Sequence, residues 1–580
     1  MQVNSIRPRY TDRSGHASGY AEANTDCEAT SNCSNQAPRG DWRQRASINQ
    51  PRDLGDPPSD TSAGHAVGSN LTQESITALG LCWESEGGIR AKKPGNAGGA
   101  KSPWQEHTFR KEARRTRLDQ HPTTENPNSK SQSKSAEQPE SLDTWSTKSG
   151  VKLPVKVTEL RRKLHQKAKQ EPKFRFYALY DRIYRRDVLT TAWWIILAKD
   201  KAPGIDGITC QDIMDAPGGV QRYLDELHDS LRTKTYRPDR VKRTYIPKPD
   251  GRQRPLGIPT MRDRIVQTAA TLILEPIFEA DFLDTSFGFR PGRNAEQAIA
   301  TIRGYLEAGY REVYDADLKG YFDTIPHDQL LLCLEKRIAD RSVLDLIQMW
   351  LTCLVEETDD DGKTRITRPK AGSPQGGVIS PLLSNVYLHW FEYAFHLKSG
   401  PYHWASAKVV RYADDFVVLA RYQGPYLVSW IENTLESRFN LTLNREKTKI
   451  LDVNNPGTSL DFLGYTFRFD RDLHGRDRRY LNIQPSRKAM AKAREKVREL
   501  TSTKRCFMPV VDMIADVNQW FQGWTSYFGY GYPRVAFRQA HNYVVNRLTN
   551  HLQRRSQRAY RPPVGKSFYA HLHDLGLKRP

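Results

Sequence analysis

Two adjacent aspartates between Val-rich runs constrain this chain more than any other feature. In Val409-Val410-Arg411-Tyr412-Ala413-Asp414-Asp415-Phe416-Val417-Val418-Leu419-Ala420, short apolar segments flank a carboxylate pair. The pattern predicts a tight β-hairpin with the acids at its tip. Asp is at home in solvated turns, but these flanks are too apolar for a surface hairpin, so the pair is expected on a buried sheet. A second acidic strand lies upstream, Glu312-Val313-Tyr314-Asp315-Ala316-Asp317-Leu318. Carboxylates from two neighbouring strands can hold two Mg²⁺ ions roughly 4 Å apart, and such ions stabilise the attacking and leaving oxygens of a phosphoryl transfer. Strand alternation puts Asp315 and Asp317 on one face. Spacing alone therefore leaves both open as the upstream ligand.

The charge balance fits a polyanionic partner. The 580 residues carry 88 Lys plus Arg against 67 Asp plus Glu, a net charge of +21. Nucleic acid is the commonest reason for such an excess, and an anionic membrane surface is the competitor. No apolar run approaches the roughly 20 residues of a spanning helix; the longest candidate is Ala192 to Ala198. The N-terminus lacks the continuous apolar core of a secretory signal. Seven scattered cysteines without C-x-x-C spacing give neither a disulfide framework nor a zinc site, which is consistent with a reducing compartment. Residues 1–150 are rich in Ser, Asn, Gln, Gly, Pro and charge, too little apolar surface to offset the entropy of ordering, so this stretch is expected to be disordered.

Order is expected from about Val155. Leu160, Leu164 and Ala168 recur at helical spacing among basic residues, and Phe174 to Arg186 predicts a second aromatic and basic helix, so residues 155–200 form a basic helical N-terminal extension. Tyr245 to Pro259 predicts a hairpin turned at Pro249-Asp250-Gly251. Asp263 to Glu279 predicts a helix, and Ser286-Phe287-Gly288-Phe289-Arg290-Pro291-Gly292-Arg293 a basic, glycine-punctuated loop. In Ala371-Gly372-Ser373-Pro374-Gln375-Gly376-Gly377-Val378-Ile379-Ser380-Pro381 the glycines permit close backbone approach to a ligand, and Ser380-Pro381 suits a helix start. From Ser486, Lys488, Lys492, Arg494 and Arg498 stud a helix with almost no apolar seam.

Tyr412-Ala413-Asp414-Asp415 resembles the catalytic box of reverse transcriptases, and the ordered blocks around it resemble the reverse transcriptase/maturase proteins encoded by group II introns. The resemblance runs from about Val155 to the C-terminus. It implies an α+β fold, a right-hand polymerase with fingers and palm over residues 201–484, followed by an α-helical thumb/maturase region over 485–575. It selects Asp317 over Asp315, because an aromatic follows five positions later. Asp317, Asp414 and Asp415 then hold two Mg²⁺ ions. Lys248 and Arg254 bind the triphosphate of the incoming dNTP. Phe322 packs under its sugar and disfavours a 2′-hydroxyl. Gln375 and Gly376 contact the nascent base pair and template. Lys447 lies near the leaving pyrophosphate as charge stabiliser or general acid. Arg290 and Arg293 grip the nucleic-acid backbone, and Lys488, Lys492, Arg494 and Arg498 face RNA.

The implied function is RNA-directed DNA synthesis during intron mobility, together with binding of the intron RNA to assist its splicing. The implied partners are group II intron RNA, an RNA template with a DNA primer, target DNA and dNTPs, with no membrane. The family setting is the bacterial cytoplasm or an organelle. The chain stops at Pro580 without the paired cysteines of the HNH-type endonuclease that many relatives carry, so no such domain is expected. The competing readings are a splicing factor with an unused polymerase site and a domesticated reverse transcriptase in repair or defence.

Overall fold

The computed structural model describes residues 152–199, 202–247, 251, 253–359, 361–373, 375–472, 476, 478–558 and 560–579. The expected disorder of residues 1–150 lies outside the described residues.

Helix α1 (Val155–Gln170) buries Leu160, Leu164 and Ala168 as the spacing predicts, and with them Val157 and Arg161. The second expected helix is not there. After α1 the chain turns at Pro172 and Lys173, and Phe176 forms an isolated bridge to Ile338. Its N–H donates to the Arg337 carbonyl at 2.7 Å, and its carbonyl accepts from Ala339 N–H at 2.8 Å. These long-range bonds override the local helical pattern. Only Tyr180–Ile183 is helical before α2 (Arg186–Leu197) begins.

The two strands of the predicted fingers hairpin pair, while its predicted turn at Pro249 and Asp250 lies outside the described residues. Strands β1 (Val241–Pro247) and β2 (Gln253–Ile258) pair antiparallel with Ile246 opposite Arg254. Helix α3 (Met261–Glu279), capped by the Thr260 side chain, is buried on nearly every side. Helix α4 (Ala295–Glu307) leads into β3 (Glu312–Ala316). Strands β4 (Val355–Thr358) and β5 (Thr364–Thr367) complete the fingers sheet in the order β2-β1-β4-β5, with β4 parallel to β1.

Helix α5 (Ser380–His396) starts where the Ser-Pro signal places it. Beyond it, β6 (Lys408–Tyr412), β7 (Asp415–Ala420) and β8 (Lys449–Asp452) join β3 in an antiparallel palm sheet ordered β6-β7-β3-β8. This sheet is buried on both faces, which explains its unbroken Val-rich strands. Tyr314, Ala316, Phe416 and Val418 pack into a core built largely of helices. Val313, Val410, Val417 and Leu419 pack toward α4 and a second sheet formed by β9 (Leu460–Phe462), β10 (Tyr465–Arg471) and β11 (Arg479–Pro485).

The C-terminal region is helical: α6 (Arg487–Leu500), α7 (Val510–Tyr527), α8 (Arg534–Arg554) and α9 (Phe568–Asp574). Helix α6 does have an apolar seam. Met490, Ala493 and Val497 are buried at i, i+3 and i+7, narrow enough to escape notice among the charges. No helix among the described residues is long and apolar enough to cross a membrane.

Candidate active site

The turn between β6 and β7 carries the carboxylates. Tyr412 pairs with Asp415, so Ala413 and Asp414 form a two-residue turn. Ala413 has φ +59°, the positive value that such tight hairpins demand and that alanine adopts only under constraint. The constraint comes from below. Arg411 N–H donates to the Thr285 carbonyl and Phe287 N–H donates to the Arg411 carbonyl, both at 2.9 Å. Gly288 lies so close that a Cβ there would stand 2.2 Å from the Ala413 nitrogen. The Arg411 guanidinium donates to Asn385 Oδ1 at 2.7 Å, Ser286 Oγ at 2.6 Å, Glu392 Oε2 at 2.7 Å and the Ala413 carbonyl at 3.0 Å. One buried side chain thus ties the basic loop and helix α5 to the catalytic turn.

Asp317 follows β3. Its carboxylate accepts from Asn444 Nδ2 at 2.9 Å and from Lys447 Nζ at 3.2 Å. The acids share one field. Burial raises Asp414 above the usual carboxylate range, with Asp317 adding to the shift. Asp415 is pushed up to about 6 by burial and then by the charges of Asp414 and Asp317. Asp315 rises further, to about 7, from burial and the neighbouring Asp415 charge, although Lys449 lies across from it on β8. Among the described residues no group of three or more His, Cys, Asp or Glu is gathered closely enough to hold a metal ion. By chemistry the set does fit one. Hard carboxylate oxygens that repel one another are what a divalent cation neutralises.

A cavity of about 650 Å³ opens beside Asp414. Arg254, Phe322, Gln375 and Gly376 line it together with Phe289. Five of the residues singled out in the sequence therefore meet in one space, drawn from the fingers hairpin, the turn after β3, the glycine-rich loop and the β6–β7 turn. Gly376 has φ +115°, and a Cβ there would lie 2.4 Å from the Gly257 carbonyl. Gly257 N–H donates to the Gln375 carbonyl at 2.6 Å, so β2 and the loop are in direct contact. Lys248 lies outside the described residues.

The basic residues divide. Arg290 is only 3% exposed and donates to Glu279 and to the carbonyls of Leu283 and Ser286. It braces the loop from inside, which corrects its assignment as a nucleic-acid ligand. Arg293 is partly exposed and paired with Asp284 at 2.6 Å. Lys488, Lys492, Arg494 and Arg498 are all exposed on α6. They lie on two faces. Lys488 and Lys492 line a groove of about 690 Å³ with Trp520 and Trp524, whereas helical spacing puts Arg494 and Arg498 on the other side of the buried seam.

Sequence reasoning missed Asn385, Glu392 and Asn444. A signal existed for Glu392, a single acid inside the apolar run of α5. Asn444 sits three residues before Lys447, but nothing local points it at Asp317.

Two family models match the chain. Residues 246–467 match the reverse transcriptase (RNA-dependent DNA polymerase) family, and residues 490–568 match the group II intron, maturase-specific domain. Over 368 residues the chain is 34% identical to Protein YkfC of Escherichia coli, covering 57% of this chain and 93% of that protein. Over 217 residues it is 36% identical to the group II intron-encoded protein LtrA of Lactococcus lactis subsp. cremoris, covering 37% of this chain and 34% of that one.

Proposed function

This chain belongs to the group II intron-encoded reverse transcriptase/maturase family, and we propose that it copies its intron RNA into DNA and, as a separate act, binds that RNA in the fold that splices. The observation that carries the polymerase half is the convergence of Arg254, Phe322, Gln375, Gly376 and Asp414 on one cavity.

In this reading Asp317, Asp414 and Asp415 hold two Mg²⁺ ions. When bound, these supply activation of the primer 3′-hydroxyl and neutralisation of charge on the leaving pyrophosphate. The remaining work belongs to the chain. Arg254, exposed on β2, meets the triphosphate; its fork suits a pair of phosphate oxygens, and Lys248 adds a second cation. Phe322 packs under the sugar, where a 2′-hydroxyl has no room. Gln375 and Gly376 lie against the nascent base pair. Lys447 pairs with Asp317, and in this reading it stabilises the leaving pyrophosphate. Arg293 and the α6 side chains take the nucleic-acid backbone, Lys488 and Lys492 from the groove and Arg494 and Arg498 from the outer face.

The maturase half follows from linkage: binding selective for the spliceable RNA fold stabilises that fold. Target DNA is a partner for intron mobility, and the bacterial cytoplasm is the setting the family reading supplies.

The test is RNA-templated primer extension by purified protein with Mg²⁺, beside Asp414→Ala and Phe322→Ala. Wild type extends with dNTPs and poorly with rNTPs. Asp414→Ala loses on the order of 10³-fold or more, the equivalent of about 4 kcal/mol at the reacting centre. Phe322→Ala gains rNTP use. A folded, RNA-binding wild type that extends nothing overturns the polymerase half and leaves a splicing cofactor.

A further inference from the structure

Helix α5 serves two cavities. Its first residues, Ser380 and Pro381, line the catalytic one. His389, Trp390 and Tyr393 line a second cleft of about 650 Å³. At about 1.5 Å per helical residue, they stand about 14–20 Å further along the same helix. The polymerase reaction uses nothing in this second cleft.

Its lining has three chemical features. Two ring systems, Trp390 and Tyr393, stand 5.3 Å apart at 69° and form an aromatic wall that Leu283 and Leu332 extend with apolar surface. His389 is 7% exposed, and its Nδ1 has no hydrogen-bond partner in the protein. Burial and the Arg411 and Arg290 charges depress its pKa to about 3, so the imidazole is neutral and offers one donor and one acceptor. The rim comes from the segment after α1 and from the chain around Arg337. Lys173, Arg175 and Lys336 stand there against Glu335, three cations to one carboxylate, with Arg337 sealed behind them at 3% exposure. Asp281 is already paired with Arg337 at 3.0 Å.

We propose that this cleft is a second nucleotide-binding site, which takes one unstacked nucleotide with its base at the Trp390–Tyr393 wall and its phosphate at the Lys173 rim. The volume suits a single nucleotide. Aromatic stacking is how proteins hold a splayed-out base, and a neutral imidazole can answer a base edge in either sense. The excess positive charge selects an anion over a neutral aromatic. A nucleotide is the ligand chemistry that uses all three features. It has two sources, a free mononucleotide or an unpaired residue of bound RNA.

Photocrosslinking of the full chain tests this. One probe is 8-azido-AMP, the other a single-stranded RNA oligonucleotide bearing 4-thiouridine, and adducts are located by mass spectrometry. The expected result is an adduct within residues 389–393 from at least one probe. Lys173→Glu, an exposed rim change, lowers that adduct about fivefold or more, while primer extension stays at the wild-type rate. If unlabelled AMP chases the RNA adduct, the site accepts a free nucleotide; if AMP leaves it intact, the site takes a nucleotide within RNA. No adduct in this segment from either probe, or a yield that Lys173→Glu leaves unchanged, overturns the proposal. Extension measured in the same samples reports on the polymerase reading separately.

Discussion

Arg411 and Glu392 form a fully buried ion pair, 2.7 Å between Nη2 and Oε2, directly beneath the catalytic turn. The pair joins β6, which carries the turn, to α5, whose first residues line the catalytic cavity. Removing one partner of such a pair strands the other charge without water, at a cost of about 3–5 kcal/mol. Glu392→Gln keeps the shape and deletes the charge. It is expected to lower the urea midpoint, with a loss of unfolding free energy in that range, and to reduce extension, because Ala413 loses the brace that holds its positive φ. An unchanged midpoint would show that the pair contributes no net stability.

Gly376→Ala tests the contact between loop and fingers. The added Cβ meets the Gly257 carbonyl at 2.4 Å in a backbone region that L side chains rarely adopt. Strain of about 1–3 kcal/mol follows. The KM for dNTP is expected to rise about tenfold, with the circular dichroism spectrum unchanged. Steady-state kinetics at saturating primer–template measure it, and a wild-type KM would count against the assignment.

The acidic cluster predicts how pH and metal act together. Asp415, with a pKa near 6 in the folded chain, binds its proton more tightly there than when unfolded. Such a group adds stability at low pH, and that contribution is lost as pH rises through about 6. A divalent cation needs the deprotonated carboxylate. Added Mg²⁺ is therefore expected to raise the melting temperature more at about pH 7.5 than at about pH 5.5, and Asp415→Asn to flatten the difference. Thermal scans without nucleic acid read this directly. A metal effect equal at both pH values would contradict it.

The two faces of α6 predict a salt signature. Lys488→Ala with Lys492→Ala removes two cations from the Trp520–Trp524 groove. The slope of log affinity for primer–template against log salt is expected to become shallower by about 2, roughly 1 for each phosphate that is no longer neutralised. Arg494→Ala with Arg498→Ala, on the outer face, serves as the comparison. Identical slopes for wild type and the Lys pair would remove the groove from the duplex path.

The legible parts of this protein were those written in neighbouring residues. The Val-rich flanks of Asp414 and Asp415 announced a buried hairpin, and the Ser380-Pro381 step announced the start of α5. What stayed hidden depends on partners far along the chain. Phe176 gives up a helical pattern for a bridge to Ile338, and no local propensity encodes that choice. Arg290 and Arg293 sit in one loop with the same side chain, yet one is sealed against Glu279 and the other reaches the surface. Composition marks both as cations, and only packing decides which stands at the surface where a phosphate can reach it. Asp315 is the intermediate case. Alternation groups it with Asp317, and the Asp415 charge reaches it, so two readings of one strand needed the family pattern to separate them.

The bond from Gly257 N–H to the Gln375 carbonyl couples the β1–β2 hairpin to the glycine-rich loop. If the hairpin closes over an incoming nucleotide as proposed, it would carry Gln375 with it, and a mispaired base that displaced Gln375 would push back on the hairpin. Shape checking and closure then cease to be successive steps. In the proposed reading, a base pair would be weighed by how far the hairpin can travel.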